Sequence, residues 1–471
     1  MKIIGLVCMS IFYILIHTVT YAEILSVDKV VKTSTVEDIK EKSKDLEFNI
    51  LTAKTLDFEK INEHQNILFG YGLLEENISF QQKVVQRSIE LYGVDSLEMK
   101  ITYLYLAYAY LLNHDSPSAE PIYIYINETK DNMNYENNIS LLNTLNRVKA
   151  EYKILQKKYK DAQHIMYLHL QMFEKHKEFD SINYIRDLKR MAVIENALGY
   201  YNKAFEYLKK GSKILVQNKI YFSLNEKIET QLLIADIDEN QEKYQGTIAA
   251  LKVAYTQIKE SNETLSPINS IEMWYRTCKM SLVTKEYETS KHMVSNIMLL
   301  QEKLSLKETV STISSMVCLG AAEKSLGHYT EAKLAYKKAL YKLNTAVYIQ
   351  NYNQEKKILS YKINQSIKEI IELEKQINKI KSSIPEILYL AIDGSMLAIA
   401  LKKGLKAPIG DYIHVHKDKE NALKVKKRKK NVVVLKIDAK QMIQDNHKFY
   451  ETTKDELLVK KLISKYLSQD L

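Results

Sequence analysis

The sequence predicts a mainly helical protein: an α-solenoid of repeated helix pairs, then one long helix, then a small C-terminal α/β domain. Three observations carry this. A tyrosine recurs in similar surroundings at near-constant intervals through the middle of the chain. The recurrence stops near Tyr352, where a segment rich in Lys, Glu, Gln and Ile takes over with its apolar residues on one helical face. After Pro385 the apolar period drops towards two, the signature of strands whose alternate side chains point to opposite faces.

The recurring tyrosines are Tyr159, Tyr201, Tyr244, Tyr287 and Tyr329, at intervals that differ from one another by no more than a single position. Three residues after each stands a small side chain: Ala162, Ala204, Thr247, Ser290 and Ala332. Nine residues before each stands another: Ala150, Ala192, Ala235, Cys278 and Gly320. Seven residues after each comes a larger apolar one: Met166, Leu208, Leu251, Val294 and Tyr336. A sixth copy lies upstream, with Ala107, Ala119 and Tyr123 in these columns and Ser116 in place of the tyrosine. Antiparallel helices approach closely only where small residues face each other, and bulky residues then fill the groove beside them. The pattern resembles the tetratricopeptide repeat in a longer form. LGHYTEAKLAYKKAL matches that family best, and LYGVDSLEMKITYLYLAYAYLLNHDSPSAEPIYIYI resembles the kinesin-light-chain type. The resemblance spans residues 62–346, after a helical lead-in at 23–61. It implies a groove that takes a protein or peptide ligand. The tyrosines are expected to pack in the core and between repeats.

Residues 347–384 read as a long helix or short coiled coil, or as a cap for the solenoid. Leu359, Ile363, Ile367, Ile370, Ile377 and Ile380 share one face, and Pro385 ends the segment.

The segment from Met1 to Ala22 has Lys2 near its start, an apolar run from Ile3 to Ile16, and Ala22 before Glu23. This pattern predicts a secretory signal peptide, and with it a secreted or periplasmic protein; the alternative is a membrane anchor over residues 3–21. Cys8 would leave with the signal. An exported protein could pair Cys278 with Cys318, but both lie on apolar helical stripes and are expected as free buried thiols. The formal charge of +10 is spread along the chain with Lys and Glu mixed, which singles out no partner. No phosphate loop, dinucleotide fingerprint, Gly-x-Ser-x-Gly or His-Glu-x-x-His occurs. His414 and His416 could share one face of a strand as a metal pair, with His447 the only further candidate. Too few ligands converge for zinc, and no metal is expected.

After Pro385 the reading is strand (EILYLA), helix (DGSMLAIALKKGL), strand (DYIHVH), helix (KDKENALKVKKRKK), strand (NVVVLKID), and a strand pair in KFYETT and ELLVKK. The signposts here are Leu388-Tyr389, Lys403-Gly404-Leu405, Tyr412-x-His414, Ala422-x-x-Val425-x-x-Arg428, Val433-Val434-Leu435 and Phe449-Tyr450. With them, residues 385–471 resemble the NAD-binding lobe of RNA 2′-phosphotransferases, of the ADP-ribosyltransferase fold class. The resemblance implies transfer of an RNA 2′-phosphate to NAD, with Arg428 at the position of a catalytic arginine and Tyr389 and His414 beside the cofactor. An arginine suits the role because its planar fork clamps phosphate bidentately.

The sequence departs from the family pattern in three places. Leu390-Ala391-Ile392 replace a histidine, a glycine and a hydroxyl residue. Lysines replace glycines around Arg428, and helical repeats stand where the RNA-binding lobe belongs. The expectation is therefore a protein-binding scaffold, not an enzyme, whose C-terminal domain has lost catalysis and holds no cofactor. The alternative is an NAD-dependent 2′-phosphotransferase or ADP-ribosyl-transferring enzyme targeted by the repeats. The basic run from Lys424 to Lys430 has no interleaved aromatic residue, which argues against a nucleic-acid partner.

Overall fold

The computed structural model describes residues 36–470, apart from 114, 130–138, 176–180, 305, 307–308, 346–352, 408–411, 426–430, 446, 448 and 454. It divides into two compact units, Met1–Asn364 and Gln365–Leu471, so the boundary falls inside a single long helix.

The first unit opens with α1 (Val36–Thr52) and continues as seven helical hairpins. These are α2 (Phe58–Gly70) with α3 (Leu74–Tyr92), α4 (Leu97–Leu112) with α5 (Ser116–Glu128), and α6 (Ile139–Leu155) with α7 (Tyr159–Lys175). Next come α8 (Ile182–Ala197) with α9 (Tyr201–Asn218), and α10 (Leu224–Asn240) with α11 (Tyr244–Glu260). The last are α12 (Pro267–Val283) with α13 (Tyr287–Leu304), and α14 (Val310–Leu326) with α15 (Tyr329–Thr345). Each repeat tyrosine is the first residue of a hairpin's second helix. The tyrosines are half-buried, and Tyr244 is 40% exposed, so they mark hairpin corners and not the core as expected. The core is built by the other columns. Ala162, Ala204, Thr247, Ser290 and Ala332 are fully buried, as are Ala150, Ala192, Ala235 and Cys278.

One backbone device closes all seven corners: the residue just before the second helix donates its N–H to the carbonyl five residues back. The bond joins Leu73 to Leu68, Asp115 to Tyr110, Lys158 to Lys153, Tyr200 to Glu195, Lys243 to Asp238, Glu286 to Ser281 and His328 to Glu323. The residue before the donor adopts positive φ at six of these corners, namely Gly72, Lys157, Gly199, Glu242, Lys285 and Gly327. The α2–α3 hairpin lies almost entirely within the 62–346 span but shows no copy of the columns in sequence, because Gln65, Asn77 and Gln81 occupy its small and apolar positions, all of them buried.

Neighbouring hairpins are tied by side chains nearly one repeat apart in the chain. Arg147 grips Asp187 through two nitrogens, at 2.8 and 2.6 Å, and Arg190 reaches both Glu151 and Asp187. Arg186–Glu226, Lys189–Glu229 and Arg276–Asp236 repeat the tie further along. Most of these pairs are part-exposed and contribute little each. Asp187 differs, since it is fully buried and also accepts from the buried His169 ring. Burial alone would raise its pKa. The Arg147 guanidinium and the His169 hydrogen bond instead hold it well below the usual carboxylate range.

Cys278 and Cys318 are bridged by a disulfide, Cα to Cα 6.5 Å, between the first helices of neighbouring hairpins. This corrects the expectation of two free thiols. Both lie on apolar stripes as predicted, but stacking brings the stripes face to face within bonding reach.

The helix α16 (Asn353–Ser383) runs 31 residues. Ile363 and Ile370 on its predicted apolar face are fully buried, and the side chains of Ile377 and Ile380 lie outside the described residues. The second unit then forms a six-stranded sheet in the order β5-β6-β3-β1-β4-β8, every pairing antiparallel. The strands are β1 (Ile387–Asp393), β3 (Ile413–His416), β4 (Val432–Asp438), β5 (Tyr450–Thr453), β6 (Glu456–Val459) and β8 (Leu467–Gln469). A separate pair joins β2 (Leu405–Lys406) to β7 (Lys461–Leu462). The helices are short: α17 (Leu397–Lys403), α18 (Lys419–Lys424) and α19 (Ala439–Gln444). Of the α/β and α+β arrangements the strand pattern allows, the domain takes the antiparallel α+β one. Leu388, Val415, Ile437, Leu457 and Val459 form its core on one sheet face. No helix among the described residues is long and apolar enough to cross a membrane.

Gly320 shows how tightly the columns are set. A Cβ there would lie 2.8 Å from the ring of Tyr336, the one tyrosine in the column that elsewhere holds Met, Leu or Val. Gly320→Ala is expected to lower stability by about 1–3 kcal/mol in thermal melting, as overpacking does. Adding Tyr336→Leu, which restores the pairing of the other repeats, should recover most of that loss.

Candidate functional site

The second unit's sheet has one apolar face and one polar face. In antiparallel register, residues directly opposite point to the same side. Tyr389 on β1 stands opposite His416 on β3 and Lys436 on β4, and His416 in turn stands opposite Glu456 on β6. His414, two residues before His416, shares their face. The structure therefore brings Tyr389 and His414 onto one polar face of adjacent strands. Arg428 lies outside the described residues. Lys424, at the start of the basic run, ends α18 and donates to Asn421 Oδ1 at 3.0 Å.

His414 is exposed, and its Nδ1 lies 2.8 Å from Glu456 Oε1. Thr452 donates to the other carboxylate oxygen of Glu456 at 3.1 Å. The His414 hydrogen bond pulls the Glu456 carboxyl below its ordinary pKa, with the Thr452 bond adding to the effect. On the far side of Tyr389, Asp470 accepts from Lys436 at 2.6 Å and from Lys419 at 2.7 Å, and these bonds lower its pKa. Glu456 and Asp470 are the site residues that the sequence reading missed. Glu456 is remote from His414 along the chain, and only the β3–β6 pairing makes them neighbours. The turn between KFYETT and ELLVKK sets the β5–β6 register, which puts Thr452 beside Glu456, but it does not give the β3–β6 pairing.

Beside this cluster the face is apolar. Ala391 and Val434 pair with each other and are buried, and α18 lies against β1, β3 and β4 with Ala422 buried. Leu390 and Ile392 point to the opposite face and join the core. Among the described residues no three His, Cys, Asp or Glu side chains converge as a metal site. His416 is buried, and His447 packs edge-on against Tyr466, whose hydroxyl it meets at 3.2 Å.

Several family signposts turn out to hold the fold. Leu388 and Phe449 are core residues. Gly404 sits at φ +75°, and a Cβ there would run into the backbone carbonyl of Leu462 at 2.2 Å. Tyr412 and Tyr450 pack edge to face, with the Lys460 ammonium over the Tyr412 ring.

His414→Ala should raise the Glu456 pKa towards the ordinary carboxylate value, read by carboxyl-carbon NMR titration. An unchanged pKa would mean that the hydrogen bond does not set it.

Known proteins share parts of this architecture. The chain is similar in structure to NprR in complex with its cognate peptide NprX, at 13% identity, covering 64% of this chain and 88% of that one with a TM-score of 0.46. It is also similar to Rap protein complexed with competence and sporulation factor, at 11% identity, with 69% and 89% covered and a TM-score of 0.46. A third is the tetratricopeptide-repeat sensor protein PH0952, a signal transduction ATPase with numerous domains from Pyrococcus horikoshii, at 15% identity, with 70% and 48% covered and a TM-score of 0.44. Residues 294–461 match the family model described as RNA 2′-phosphotransferase, Tpt1 / KptA family. That span starts within α13, ahead of the sheet unit. The chain is a tetratricopeptide-like helical array whose residues 294–461 are similar to the RNA 2′-phosphotransferase, Tpt1 / KptA family.

Proposed function

We propose that the protein is an exported protein-binding scaffold whose C-terminal domain keeps its family's fold without the catalysis. The observation that carries the loss of catalysis is the packing of Leu390, Ala391 and Ile392. All three are apolar: Leu390 and Ile392 pack into the core, and Ala391 is buried on the other face. In the family pattern these positions supply a histidine, a glycine and a hydroxyl to the nucleotide. Here they offer no side-chain donor or acceptor, and His414 is engaged with Glu456. The absence of such groups at these positions supports a domain that does not hold NAD. A solenoid with seven hairpins is a natural protein-binding surface, since stacked repeats present a long continuous face.

Export is supported by the Cys278–Cys318 disulfide, because such bonds persist in oxidising compartments, and by the signal-like segment at residues 1–22. A second reading, an active NAD-dependent 2′-phosphotransferase, is favoured by the family match over residues 294–461 and by the shared face of Tyr389 and His414.

NAD titration of the full chain separates the two. The scaffold reading expects no rise in the melting of the C-terminal unit at millimolar NAD and no transfer from a 2′-phosphorylated RNA oligonucleotide. Stabilisation approaching about 2.7 kcal/mol at 100 times the dissociation constant, with transfer lost in Arg428→Ala, would establish the enzyme. Intact mass and thiol titration of protein from its native host test export. A chain starting at Glu23 with no free thiol is expected; a retained Met1 with reactive Cys278 and Cys318 would overturn it.

A further inference from the structure

A cleft of about 550 Å³ opens between α7 and α9 and is floored by α8. Its walls include Tyr167 and Tyr207, and Met191 and Glu195 form the floor. Glu195 is 2% exposed. One carboxylate oxygen accepts from Gln163 Nε2 at 2.8 Å; the other, Oε2, is buried with no hydrogen-bond partner among the described residues. An ionised carboxylate oxygen left so is costly, and the cost is relieved by any donor that enters the cleft.

The repeat itself shows which donor fits. Gln163 stands four residues after its corner tyrosine, and Glu195 stands six before the next. Three hairpins on, the same two columns hold Lys291 and Glu323 with the same separation, and there the ammonium meets the carboxylate at 3.1 Å. His328 occupies the second oxygen of Glu323 at 2.7 Å. At Glu195 the position of the lysine is taken by a neutral amide, so the acid is kept and its cation is not. The two lysines that line the cleft are engaged elsewhere. The Lys210 ammonium pairs with Glu174 at 2.8 Å, and that of Lys203 sits over the Tyr200 ring at 5.1 Å.

We propose that this cleft is a binding site for an alkylammonium or guanidinium group, the head of a lysine or arginine side chain, which passes between Tyr167 and Tyr207 to pair with Glu195. The aromatic walls suit a cation as well as its aliphatic stem. The proposal deepens the scaffold reading by naming the chemistry of the segment bound. It stands or falls separately, because the NAD titration reads the other unit.

The test is ligand-observed NMR on the full chain with three probes: acetyl-Gly-Lys-Gly-amide, acetyl-Gly-Arg-Gly-amide and n-butylammonium. Saturable millimolar binding of at least one is expected. Glu195→Gln should weaken it at least about tenfold, the effect of losing one charge-assisted contact. Gln163→Lys should do the same from the opposite direction, by installing the internal cation of the Lys291–Glu323 pair while leaving the hairpins folded. Tighter binding of the peptides than of n-butylammonium assigns the site to a protein segment, and equal binding assigns it to free amines; either supports the cation site. No saturable binding of any probe, or binding indifferent to both substitutions, overturns it.

Discussion

The array rests on the close approach of two helices at its corners, which small side chains allow in the five tyrosine-marked repeats. Ala162, Ala204, Thr247, Ser290 and Ala332 are all fully enclosed, and across from them stand Ala150, Ala192, Ala235, Cys278 and Gly320. Enlarging either column in these repeats would push the helices apart and spoil the packing of the bulky third column. The pairing of Gly320 with Tyr336 shows the same space divided differently, with one side chain removed so that a ring can enter. Everything that the first unit displays, including the ties between hairpins and the cleft over Glu195, is positioned by these contacts.

Much of this was legible because repetition supplies its own comparison. Five copies expose a column that one copy would hide, and the columns at −9, +3 and +7 all proved to be structural positions. The columns of the α2–α3 hairpin, which lies almost entirely inside the predicted span, were not legible because Gln65, Asn77 and Gln81 break the composition while keeping the geometry. The corner tyrosines were overrated as core, since a periodic residue need only serve a periodic task, and the first position of a helix is one. Ties such as Arg186–Glu226 were also visible as opposite charges, but their separation falls short of the tyrosine interval and so they belong to no single column.

The candidate site in the second unit was less legible for a physical reason. A sheet assembles its faces from distant segments, and His414 meets Glu456 only because β3 pairs with β6 in one register. The strand readings at β1, β3, β4 and the β5–β6 hairpin were right, and they suffice to place Tyr389 and His414 on the same side. What they do not contain is which partner each polar group takes. The same limit hid the disulfide: both cysteines were read as apolar-stripe residues, which they are, while their meeting depends on how neighbouring hairpins stack.

That bond has a consequence for how the array comes apart. Repeat stacks loosen hairpin by hairpin, most readily from their ends, because each unit is held only by its neighbours. The link from α12 to α14 ties the last hairpin to the one before it at a point inside both first helices. The α14–α15 hairpin therefore cannot peel away past Cys318 on its own. With the bond in place, amide exchange in α12 and α14 should follow a single opening, so that the C-terminal end of the stack behaves as one cooperative block.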